Sequence, residues 1–159
     1  MTRTNIWTIL TAGALATLAF DLFGQGLAPL AGFAKLAPVG LAQATIKTVF
    51  GAAPKGIGDI VHIVNGLLIY SLGYVLVARP IQQKILPSLP WLVTAVVYGI
   101  GLWIFALYGV AHLIAGNKPF LGWTGITWVA LWGHILYAVV LAAVIELKPR
   151  TQSMGTAAA

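Results

Sequence analysis

The chain of 159 residues contains no cysteine and few charged residues. Without cysteine it can form no disulfide, no thiolate metal site and no thiol-based active site. Charged residues make up 8% of the chain and hydrophobic residues 60%, whereas soluble domains carry about a quarter charged residues. This composition excludes an ordinary soluble domain and indicates an integral membrane protein.

Acidic residues are also scarce, because three Asp and Glu stand against nine Lys and Arg and give a net charge of +6. In a soluble protein this excess would suggest nucleic acid as a partner. Here the basic residues stand mostly singly at the ends of apolar runs, which is typical of anchors at the membrane edge. The stretch GAAPKGIGD lacks the GK[ST] ending of a phosphate-binding loop. The sequence therefore predicts a lipid bilayer as partner and no nucleic acid.

Long apolar runs dominate what remains. A helix needs about 20 residues to cross a hydrocarbon core of about 30 Å. Four segments meet this length and predict transmembrane helices at about residues 6–27, 57–78, 90–115 and 123–147.

The connection between the first two segments has a different pattern. Leu41, Thr45 and Val49 can share one helical face with Lys47 turned away, which predicts a short helix at about 40–50 lying in the membrane interface. The predicted fold is an all-α membrane protein: a four-transmembrane-helix bundle with this interfacial helix between helices 1 and 2. It forms one domain, residues 1–150, and TQSMGTAAA at 151–159 predicts a disordered tail.

The basic clusters RPIQQK and KPR flank the ends of the second and fourth segments. Because positive residues close to membrane ends favour the cytoplasmic side, both termini are predicted to be cytoplasmic.

Polar residues inside the spans reach similar depths. At about 1.5 Å per residue from the inner anchors, Asp21, His62 and His134 lie about 21–25 Å up their helices. Ionisable groups within a membrane are costly and suggest a functional site. We therefore predict an outer-leaflet polar site inside the bundle. Its supporting and outer candidate residues are Thr17, Gln25, Asn65, Asp59 and His112.

Several motifs occur in a characteristic order: AGALATLAFD, LAPVGLAQATIKTVFGAAP, HIVNGLL, PWLVTAVVYGIG and LWGHILYAVVLAAV. Over about residues 8–147 this order resembles a family of small bacterial inner-membrane proteins of unknown function. The resemblance implies four transmembrane helices in a bacterial inner membrane, with His62 and His134 at family positions. It implies no reaction.

The sequence favours a binding or accessory role over an enzyme, with other membrane subunits or further copies of the chain as partners. His62 and His134 are expected to face each other, either as a structural pair or as ligands. One alternative is haem b with these two histidines as axial ligands. Another is a divalent metal at Asp21, His62 and His134, with His112 or Asp59 as an outer ligand.

A third alternative is a small proton or solute transporter. Asp21, His62, His134 and Glu146 could form a relay, but the roughly 18 Å of helix between His134 and Glu146 is interpreted as apolar.

Overall fold

The structure is a computed structural model that describes residues 5–156, with side chains described for 5–147. All its regular elements are helices within this part of the chain. Four of them are long and apolar enough to cross a membrane: α1 (Ile6–Leu30), α3 (Ile57–Ile85), α4 (Trp91–Ile114) and the segment Gly125–Leu147 of α5. The predicted all-α four-helix bundle is confirmed, and the chain is a multi-pass membrane protein.

The short helix between the first two spans is α2 (Pro38–Phe50), close to the predicted 40–50. Its start is favoured by Pro38 in the first turn, and its end by Gly51, which has a positive φ of 77°. The last helix, α5, runs over Gly125–Thr156. It thus extends into the predicted disordered tail, whose last three residues lie outside the described part.

Helix α3 continues beyond residue 78, the predicted end of the second apolar segment, and passes through the Arg79-Pro80 pair. A proline removes one helical hydrogen bond and its ring crowds the carbonyl four residues earlier. The turn that precedes Pro80, Tyr74–Ala78, is a wide π-helical turn, which changes this hydrogen-bond spacing. The helix therefore passes Pro80 and ends at Ile85.

The helices form a ring. Helix α1 packs against α3 and α5, while α4 packs against α5 over its first part, Trp91–Ile104. Helices α3 and α4 contact each other at the end of the bundle that carries residues 74–104. At the other end α2 contacts both of them. We call this the capped end.

Glycines allow the close contacts in the ring. A Cβ atom on Gly13 would lie 2.5 Å from the Leu67 carbonyl oxygen, and one on Gly99 would lie 2.7 Å from the Cα atom of Ile135. In lipid there is no hydrophobic drive between helices, so close approach of backbones stabilises their association. These glycines therefore fix how the helices cross.

Helix α2 is held at the capped end by one side chain. Gln43 donates from Nε2 to the carbonyls of Ala53 and Pro54, at 3.0 and 3.1 Å, and its Oε1 accepts from the backbone N–H of Gly58 at 3.0 Å. Gly58 also lies flush against the Val39 carbonyl, where a Cβ atom would come within 2.5 Å. The side chain of Gln43 thus satisfies an otherwise open donor at the start of α3.

Candidate functional site

Two predicted site residues, His62 and Asp21, are hydrogen-bonded to each other near the capped end. Nε2 of His62, on α3, lies 3.0 and 3.1 Å from the two carboxylate oxygens of Asp21, on α1. Gln25, one turn after Asp21, donates to the same carboxylate at 2.8 Å. The carboxylate thus accepts from an imidazole and an amide. This pairing orients His62 and leaves its Nδ1 available for another partner.

His134 lies on α5 with 6% of its surface exposed. Its Nδ1 is 2.7 Å from the carbonyl oxygen of Ala130, one turn earlier on the same helix. Because a carbonyl only accepts, Nδ1 carries the proton. No hydrogen bond from the described residues reaches Nε2 of His134. In the neutral ring this nitrogen is a hydrogen-bond acceptor.

No hydrogen bond joins His62 to His134 among the described residues. The ring of Phe20 packs against both, with centroid distances of 6.2 Å to His62 and 5.1 Å to His134. They share a small cavity of about 30 Å³, which we call the inner cavity. This volume suits one water molecule. The inner cavity is lined by Thr17, Phe20, His62, Gly66, Tyr70, His134 and Tyr137.

A much larger pocket lies on the other side of Phe20, Tyr70 and His134. This capped-end pocket has a volume of about 440 Å³, within the usual range for small-molecule sites. Helix α2 forms one wall, and the facing parts of α3, α4 and α5 form the others. Most of its lining is apolar. The polar lining residues are Thr45, Asn65, Tyr70, Asn117 and His134.

The polar residues of this pocket differ in how well they are satisfied. Thr45 donates to the Leu41 carbonyl and Asn117 donates to the Ala111 carbonyl. By contrast, the side-chain amide of Asn65 makes no hydrogen bond with any described residue. The hydroxyl of Tyr70 also makes no hydrogen bond with a described residue, because only the backbone carbonyl of Tyr70 accepts one, from Tyr98. Since buried polar groups are nearly always paired, Asn65, Tyr70 and His134 are the groups of this pocket that are suited to a ligand.

His112 and Asp59 are not part of this arrangement. Nδ1 of His112 donates to the Asn117 carbonyl at 2.7 Å and closes the end of α4. Asp59 is exposed in the first turn of α3, where its negative charge interacts favourably with the positive end of the helix dipole. Thr17 donates to the Gly13 carbonyl at 2.8 Å and packs against Gly66.

The predicted haem and metal sites do not fit this geometry. Phe20 packs against both imidazoles where a porphyrin would have to lie, and the inner cavity is far smaller than a ligand pocket of roughly 300 Å³. Among the described residues, no three His, Asp or Glu side chains come close enough to hold one metal ion. Phe20 packs against both histidines, and no hydrogen bond from a described residue joins His134 to the Asp21–His62 pair.

A polar cluster that the sequence interpretation missed lies below the inner cavity. The hydroxyl of Tyr137 donates to the Gly66 carbonyl and lies 3.1 Å from Oγ of Ser71, which also donates to that carbonyl. This carbonyl is at the π-helical turn Asn65–Ile69. The stretch between His134 and Glu146 is therefore not purely apolar. A tyrosine one turn after a buried histidine was the available signal.

At the opposite end of the bundle, Arg79 and Glu146 form an ion pair. Nε of Arg79 lies 2.8 Å from Oε1 of Glu146, and Nη2 lies 3.4 Å from Oε2. The pair joins α3 to α5 within the spans. The sequence had suggested a membrane anchor for Arg79, and the structure gives it a partner on another helix.

No protein-family model, curated protein or solved structure matches this chain. Any function must therefore be argued from the geometry of the two cavities and their polar residues.

Proposed function

We propose that this protein binds a small lipophilic molecule in the capped-end pocket. The observation that carries the proposal is a pocket of about 440 Å³ with mostly apolar walls and three polar side chains, Asn65, Tyr70 and His134, available to a ligand. Apolar walls with a few placed polar groups are typical of small-molecule sites. We propose binding rather than catalysis, because no Asp or Glu lines the pocket among the described residues. The carboxylate of Asp21, on the same helix as the lining residue Phe20, is already hydrogen-bonded to His62 and Gln25.

The pocket is built in the way a membrane-facing site requires. Helix α2 forms one wall of the pocket, and none of the residues of α2 is buried. This wall is therefore only one helix thick. Leu41 and Thr45 line the pocket while Lys47 is exposed and lines neither cavity. An amphipathic helix of this kind suits the membrane interface. A lipophilic molecule would enter beneath α2 from the surrounding lipid.

Within the proposal, the capped end lies on the outer side of a bacterial inner membrane and both termini are cytoplasmic. The support is the pattern of basic residues at the opposite end of the bundle, where RPIQQK forms the last turns of α3 and KPR follows the span of α5.

A role as accessory subunit is the second candidate, and one surface feature favours it. An apolar groove of about 750 Å³ lies between α1 and α5. Trp128 and Trp132 line it and are 50% and 60% exposed. Large exposed aromatics on one face suit a neighbouring transmembrane helix as well as lipid tails.

The test is to extract the protein into polymer nanodiscs together with its native lipid and to identify bound small molecules by mass spectrometry. Ala44→Phe places a large ring in the pocket wall, since Ala44 is exposed and lines the pocket. Ala14→Phe is the matched control, because Ala14 is also exposed and lines neither cavity nor groove.

We expect one lipophilic compound enriched over bulk lipid in the wild type and in Ala14→Phe, and lost in Ala44→Phe. Equal retention by Ala44→Phe, or no enrichment in the wild type, would contradict the proposal. The same extract reports the second candidate, because an accessory subunit would carry a membrane protein in fixed stoichiometry in all three samples.

A further inference from the structure

We infer that the molecule bound in the capped-end pocket is uncharged and carries a hydroxyl group on an aromatic ring, which donates a hydrogen bond to Nε2 of His134. This inference rests on the proposed function and names the chemical class of its ligand. A phenol or a hydroquinone with an apolar tail has this chemistry.

The charge of the ligand follows from the lining of the pocket. Among the described residues that line it, none is Lys, Arg, Asp or Glu. Moving an ion away from water without an opposite charge costs several kcal/mol. A phosphate, carboxylate or ammonium head group would have no partner there. The pocket therefore selects an uncharged molecule.

The donor follows from the hydrogen bonding of His134. Its Nδ1–H is already given to the Ala130 carbonyl at 2.7 Å, so that a neutral ring offers only the lone pair of Nε2. The ring is 6% exposed in an environment where a charged form is costly. The ring of His62, which lines the inner cavity together with His134, is engaged by the Asp21 carboxylate at 3.0 Å. The complement to this nitrogen is an O–H or N–H donor.

Asn65 makes a hydroxyl the better match. Its amide can both donate and accept, and no described residue engages it. A hydroxyl group can donate to His134 and accept from Asn65 at the same time. An ether or a ketone can only accept and would leave Nε2 of His134 without a hydrogen bond, which is unfavourable in a buried site.

The aromatic ring follows from the side chains beside His134. Phe20 and Tyr70 both line the pocket, and their ring centroids lie 5.1 and 6.4 Å from that of His134. Aromatic rings at such distances stabilise a further ring through edge or offset contacts. A flat ring with its hydroxyl towards His134 therefore fits the part of the pocket beside Phe20 and Tyr70 better than a flexible alkyl alcohol does.

The test compares three probes: 4-octylphenol, its methyl ether 4-octylanisole, and 1-dodecanol. Each is partitioned between nanodiscs that contain the protein and empty nanodiscs of the same lipid. In the wild type, we expect 4-octylphenol to bind about tenfold more tightly than 4-octylanisole, as a lost buried hydrogen bond implies. It should also bind more tightly than 1-dodecanol.

His134→Phe keeps a ring at this position and removes the acceptor nitrogen, so the preference for the phenol should disappear. His112→Phe is the matched control, because His112 does not line the pocket and should retain the preference. Asn65→Leu is a second variant. It should not disturb the fold through a lost hydrogen bond, because the Asn65 side chain makes none with a described residue. It should lower phenol affinity several-fold.

Equal binding of phenol and ether to the wild type would overturn the inference and leave the proposed function standing. Tighter binding of 1-dodecanol than of the phenol would overturn the aromatic part. If none of the three probes bound above the level of empty nanodiscs, both the inference and the proposed function would fail.

Discussion

Replacing Gly99 by alanine should loosen the bundle where α4 meets α5, next to the candidate site. A Cβ atom at this position would lie 2.7 Å from the Cα atom of Ile135 and 2.8 Å from the carbonyl oxygen of His134. Both are main-chain atoms, which cannot move away by changing a rotamer. The two helices must therefore separate locally.

The size of the effect follows from these distances. Ordinary van der Waals contact begins at 3.4 Å, so the distance from the new Cβ to Ile135 falls short by 3.4 − 2.7 = 0.7 Å. Overpacking of this kind costs about 1–3 kcal/mol. The alanine also favours the helix by up to about 1 kcal/mol. A matched alanine elsewhere on α4 is needed to remove this second contribution.

Gly101→Ala is that control, because a Cβ atom there meets nothing within 4 Å. Unfolding would be followed by tryptophan fluorescence in mixed micelles with increasing SDS. We expect Gly99→Ala to be less stable than Gly101→Ala by about 1–3 kcal/mol. Because the clash moves the backbone that carries His134, 4-octylphenol should also bind more weakly. Equal stability of the two variants would refute the close contact on which the reasoning depends.

Three further predictions concern contacts outside the pocket. Arg79→Met or Glu146→Leu alone should lower stability by roughly 2 kcal/mol in the same SDS assay, because each removes one member of the ion pair and leaves the other charge inside the bundle. The double variant, which removes both charges, should recover most of this loss. Additive losses in the double variant would argue against the ion pair. Gln43→Ala should speed amide hydrogen exchange at Gly58 about tenfold by removing its acceptor, and unchanged exchange would show that α2 is held otherwise. Tyr137→Phe should cost about 0.6–1.5 kcal/mol through the lost hydrogen bond to the Gly66 carbonyl, a result that identical SDS midpoints would exclude.

The bundle could be predicted from the sequence because length and hydropathy decide which segments can cross a membrane. The predicted start of α3 at residue 57 and end of α4 near 115 agree with Ile57–Ile85 and Trp91–Ile114. The predicted end of α3 at about residue 78 is too early, because the helix continues through Pro80 after a wide π-helical turn. Local hydrogen-bond spacing of that kind leaves no simple pattern in the sequence.

The site was partly predictable for a related reason. Depth along a helix follows from residue counts, and Asp21 and His62 do meet. Which side chains stand between two helices depends on how the helices are rotated and crossed. The packing of Phe20 against both His62 and His134 could not be predicted from spacing alone. The capped-end pocket also depends on where α2 docks, which Gln43 decides through contacts with residues at least ten positions away.

Packing and site geometry share the same residues. Gly66 lets Thr17 approach beside the inner cavity, Gly133 lets Phe20 pack against α5, and Gly99 brings α4 against the backbone of His134. Since close approach drives helix association in lipid, a larger residue at any of these glycines should reduce stability and ligand binding together. Substitutions of Asn65 or Ala44 should reduce binding alone. These two responses separate a pocket that binds a ligand from one that is only a by-product of helix packing.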